Sequence, residues 1–62
     1  ARYLVETIHR GLVESASTVD ASTPVKAAIK AAGGEVTFRT SQIRWIKVTP
    51  VGGQQAYEFV RA

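Results

Sequence analysis

The sequence predicts an α+β fold: a small antiparallel-rich sheet in β-β-α-β-β-β order, with one short helix packed on one face. Three stretches point to it. Ile43 to Arg61 alternates apolar and polar residues on either side of Gly52-Gly53, the pattern of a β-hairpin. Tyr3 to Ala21 repeats the pattern around Arg10-Gly11. Between them, Ser22-Thr23-Pro24 opens and Gly33-Gly34 closes a run of helix formers, the start and stop signals of a helix.

In the first hairpin, pairing His9 with Leu12 sets Ile8 against Val13 with Leu4 on the same side, and Thr7 against Glu14 on the other. A two-residue turn requires positive φ at Arg10, which strains a residue carrying a Cβ, so a longer turn competes with it. Ser15, Ala16 and Ser17 offer little packing surface, and the second strand is expected to be short or frayed at an edge.

Ser22 or Thr23 supplies the helix-capping oxygen, and Pro24 fits the first turn, where no N–H is needed. Lys26 to Ala32 propagate the helix, and a glycine past the last turn ends it. Spacing by three and four places Val25, Ala28, Ile29 and Ala32 on one buried face, with Lys26 and Lys30 outside. At about eleven residues and ~1.5 Å of rise each, the helix is too short to cover five strands.

Glu35 to Arg39 alternates as a short strand with Val36 and Phe38 inward. In the hairpin that follows, a turn of positive φ at Gly52-Gly53 pairs Val51 with Gln54. Counting outward, Val48 meets Tyr57 and Ile46 meets Phe59 on one face, while Lys47 meets Glu58 and Trp45 meets Val60 on the other. A looser turn built on Pro50 that slides the strands by two residues preserves these facings. The uncovered face is expected to carry Trp45, Val60, Tyr3 and Val5, more apolar surface than a monomer normally shows.

Residues 1–62 make one domain. A chain this short buries only about 60% of its unfolded surface, and such domains lean on disulfides, metals or oligomerisation. With no Cys and one His, disulfides and a protein-only zinc site fall away and self-association is left. A hydrophobic content of 45% with 21% charge belongs to a folded chain rather than a disordered one. No apolar run reaches the ~20 residues that span a bilayer, and Ala1-Arg2-Tyr3 does not open like a signal peptide, so a cytoplasmic location without membrane contact is expected.

Catalytic patterns are missing. The five carboxylates are scattered, no Gly-x-Ser-x-Gly elbow surrounds a serine, and neither glycine pair has the spacing or lysine of a phosphate loop. No enzyme, cofactor or metal is expected. The net charge of +3 and pI near 9.8 favour acidic partners. The hairpin register sets Arg44 across from Arg61, with Arg39 close in sequence. Such a cluster wants an anion: a glutamate of this chain, the carboxylate of Ala62, or an external phosphate. Trp45 and Lys47 share a sheet face, as base-stacking and phosphate-attracting residues do, although an aromatic of this kind equally anchors protein interfaces.

Arg39, Arg44, Trp45, Lys47 and Arg61 are therefore the candidate nucleic-acid or anion-binding residues. The leading expectation is a small non-enzymatic binding module that contacts nucleic acid through a basic sheet face, as a homodimer. The alternative is a protein-interaction or assembly module, of an accessory or phage type, using the same face toward a protein partner or a second copy.

Overall fold

A computed structural model describes residues 1–62. The elements are β1 (Arg2–His9), β2 (Leu12–Asp20), α1 (Pro24–Ala32), β3 (Val36–Phe38), β4 (Arg44–Pro50) and β5 (Tyr57–Arg61). This is the expected β-β-α-β-β-β order, folded into one five-stranded antiparallel sheet with strands ordered β2-β1-β4-β5-β3. No helix is long and apolar enough to cross a membrane.

The helix carries the chain from one sheet edge to the other. Its nine residues span about 13 Å, against the ~19 Å between the outer strands of a five-stranded sheet, and the flanking segments make up the difference. Even so, α1 touches all five strands. Helix length is thus not what leaves sheet surface open. The opposite face has no element over it.

Thr23 caps α1 by accepting from the Lys26 N–H at 3.2 Å, Pro24 occupies the first turn, and Gly33 ends the helix in the left-handed region, its N–H bonded to Ile29 O at 2.9 Å. The buried stripe is Ala27, Ala28 and Ala32. Val25 and Ile29, expected inward, are 39% and 38% exposed. Small side chains let the helix backbone sit close to Tyr3, Val5, Ile46, Val48 and Phe59, which with Ala21 complete the core; the bulkier pair is rotated to the flank.

The first hairpin turns on Arg10 and Gly11, both at positive φ (54° and 79°), a tight two-residue turn. His9 pairs with Leu12 and Ile8 with Val13, as expected, but Thr7 pairs with Ser15 rather than Glu14. A bulge leaves Glu14 without a strand partner, as one extra residue in one strand requires. The second strand lies at an edge, yet it is neither short nor frayed: it runs nine residues, and all but the bulged Glu14 stay paired to β1.

In the second hairpin Ile46 meets Phe59, Lys47 meets Glu58 and Val48 meets Tyr57, the expected register. The turn is different. Gly53 N–H bonds Pro50 O at 2.9 Å, so Val51 and Gly52 are the central residues. Only Gly52 of the glycine pair has positive φ, as a type II turn demands at its third position. A Cβ on Gly53 would stand 3.1 Å from Pro50 Cβ, which explains the second glycine by closeness rather than by φ.

The facing of β1 is also reversed from expectation. Val5 pairs with Val48 and Tyr3 with Pro50, so Tyr3 and Val5 lie under the helix. Leu4, Glu6 and Ile8 take the open face instead. The β1–β4 pairing decides this, since facing residues of neighbouring strands share a side.

Candidate binding surface

Cross-strand pairing arranges the open face in rows. Val13 pairs with Ile8, and Ile8 with Trp45; extending the β4–β5 register by one residue brings Val60 beside Trp45. The next row runs Ala16, Glu6, Lys47, Glu58. The third runs Thr18, Leu4, Thr49.

The apolar row covers itself. Ile8 and Val60 are only 7% and 5% exposed although no helix lies above them. The half-buried indole of Trp45 stands between them. Above the indole lies the Arg39 guanidinium, 4.5 Å from the ring centroid, in cation–π range.

Several bonds fix Arg39 in place. Its backbone N–H donates to Glu58 O at 3.2 Å, its Nε to Gln42 O at 3.0 Å, and its Nη1 to Glu58 Oε1 at 3.1 Å. Gln42 organises that loop: its Oε1 accepts from the backbone N–H groups of Thr40 and Ser41. A side-chain amide bonding nearby backbone is invisible to hydrophobic patterning, which is why sequence reasoning missed Gln42.

Arg39, Trp45 and Lys47 thus come together on the open face. Arg44 and Arg61 do not join them. Both turn to the helix side of the sheet, where they line a cleft of about 580 Å³ with Thr7, Glu14, Gln42 and the last turn of α1; Trp45 and Val60 border the same cleft. Arg44 Nη2 donates to Glu14 at 3.1 Å, and His9 Nδ1 lies 3.5 Å from the same carboxylate. Arg61 donates to Ala32 O at 2.6 Å, satisfying a terminal helix carbonyl and the negative end of the helix dipole. Of the anions expected for this cluster, glutamates of the chain serve Arg39 and Arg44. Glu14, in the bulge and on the helix side of the sheet, is the partner of Arg44.

The open face is consequently balanced in charge. Glu6, Lys47, Glu58 and Arg39 follow one another across it, acid and base in turn. Six of the eight basic residues, Lys47 among them, form no ion pair; Arg2, Arg10 and Lys26 sit at separate places: the start of β1, the first hairpin tip and the helix. No three of the His, Cys, Asp and Glu side chains converge as metal ligands would. No family model, curated protein or solved structure matches the chain.

Proposed function

We propose that the protein is a small non-enzymatic interaction module that docks a protein partner on the open sheet face around Trp45. The observation that carries this reading is the charge balance of that face. A nucleic-acid surface draws its affinity from unpaired cations that neutralise phosphates. Here Arg39 is spent on Glu58 and the indole, and Lys47 lies between Glu6 and Glu58 in the sheet register. An aromatic with apolar neighbours, ringed by acidic and basic side chains in alternation, is instead the anatomy of a protein interface.

Titration with single-stranded DNA and RNA at low and moderate salt separates the two readings. Weak binding that Trp45→Ala leaves unchanged is expected. The same substitution should abolish retention of a protein partner from nuclease-treated extract. A tight oligonucleotide complex that weakens steeply with salt and is lost in Trp45→Ala and Lys47→Ala would overturn the proposal in favour of nucleic acid.

A further inference from the structure

The two edges of the sheet are protected very differently. The β3 edge is three residues long, follows two glycines and ends against Arg39, devices that discourage pairing with another chain. The β2 edge is nine residues long. It contains no Pro, Lys or Arg, and from Ser15 to Val19 no charge at all.

Its backbone polarity can be read from one bond. Ala21 N–H donates to Ala1 O at 2.9 Å. In an antiparallel ladder successive residues bond to opposite sides, so the groups of Ser15, Ser17 and Val19 turn toward β1. Those of Ala16, Thr18 and Asp20 turn outward with no backbone partner. The bulge at Glu14 bounds this regular stretch on one side and the turn into α1 bounds it on the other.

We propose that β2 pairs with β2 of a second copy of this chain, antiparallel about a two-fold axis at Thr18, to give a continuous ten-stranded sheet. This surface is separate from the Trp45 face and does not depend on it. The axis at Thr18 sets Thr18 against Thr18, a favourable cross-strand pair, Ser17 against Val19 and Ala16 against Asp20. No like charges oppose one another. An axis at Ser17 would put Glu14 against Asp20.

Charge complementarity selects a second copy as the occupant. Antiparallel pairing lays the Glu14 end of one strand beside the Asp20 end of the other. Lys30 already reaches over that end, donating to Asp20 O at 2.6 Å, and Ser22 and Thr23 begin the positive end of the α1 dipole there. The Glu14 end of each strand, its carboxylate bonded to Arg44, therefore meets the Lys30 ammonium and the helix start of its mate, beside Asp20. A marginal 62-residue domain gains from the added burial.

The test is sedimentation from micromolar to millimolar concentration, with amide hydrogen exchange on the same samples. Wild-type chain is expected to dimerise, with the Ala16 and Thr18 amides protected at high concentration and released on dilution. Thr18→Pro removes an outward N–H from each copy but no bond to β1, and should raise the dimer dissociation constant about tenfold or more. Thr18→Lys should weaken it as well, by opposing two cations on the axis while leaving the backbone intact. A wild-type monomer at every concentration overturns the proposal, as does a dimer unaffected by either substitution or lacking protection at Ala16 and Thr18.

Discussion

Phe59 and Val60 are neighbours in one strand, both nearly inaccessible, and they are buried by different means. Phe59 points under α1 into the core with Tyr3, Val5, Ile46 and Val48. Val60 points to the other face and lies outside that core; it is sheltered by the indole of Trp45, which Arg39 in turn covers. One face is closed by a backbone element, the other by side chains lying over one another. The helix-covered face is therefore expected to carry the stability of the domain, and the open face to be the one that can rearrange to meet a partner.

Truncating the two neighbours is the strongest way to break this contrast. Phe59→Ala should cost about 3–5 kcal/mol, as large-to-small changes in cores do, enough to unfold much of a domain of ordinary stability. Val60→Ala removes fewer carbons from a shallower site and should cost about 1–2 kcal/mol. Urea denaturation followed by circular dichroism measures both. Equal costs would make the open face a second core, and its proposed role as a docking surface would lose its footing.

A smaller effect tests the cover itself. Arg39→Ala removes an exposed ion pair worth roughly 0.2–1 kcal/mol and a cation–π contact of similar size, so stability should fall by about 1 kcal/mol. Trp45 should respond more visibly, with emission shifted to the red and greater quenching by acrylamide. An unchanged spectrum would mean that the guanidinium does not shield the indole, leaving the ring open for stacking.

The same contrast explains what could be read from the residues beforehand. The fold class, the element order, the register of the second hairpin and the capping of the helix were legible because each depends on local signals: alternation, a threonine before Pro24, glycines after Ala32. The facing of β1 was not, since its residues alternate plausibly either way and the pairing with β4, some forty positions along the chain, decides between them. Of the candidate site residues, Arg39, Trp45 and Lys47 share a surface because they flank one register. Arg44 and Arg61 were separated from them by strand alternation, which the hairpin pairing already implied. Their partners, Glu14 in a bulge and a carbonyl at the end of α1, come from tertiary packing that periodicity does not encode.

The smallest expected effect concerns the helix and sharpens why the covered face is closed as it is. Helical spacing groups Ile29 with Val25, Ala28 and Ala32, and apolarity alone would seat the larger side chains in the core. The alanines are there instead, because a close approach of helix to sheet leaves room for a methyl group and no more. Ile29 stands on the flank, 38% exposed. Ile29→Gln should then change stability by no more than about 0.5 kcal/mol, the range of surface substitutions, whereas Ala28→Leu should overpack the interface and cost about 1–3 kcal/mol. A loss of several kcal/mol from Ile29→Gln would mean that α1 packs through its branched residues after all, standing farther from the sheet, and that the covered face is the more loosely closed of the two.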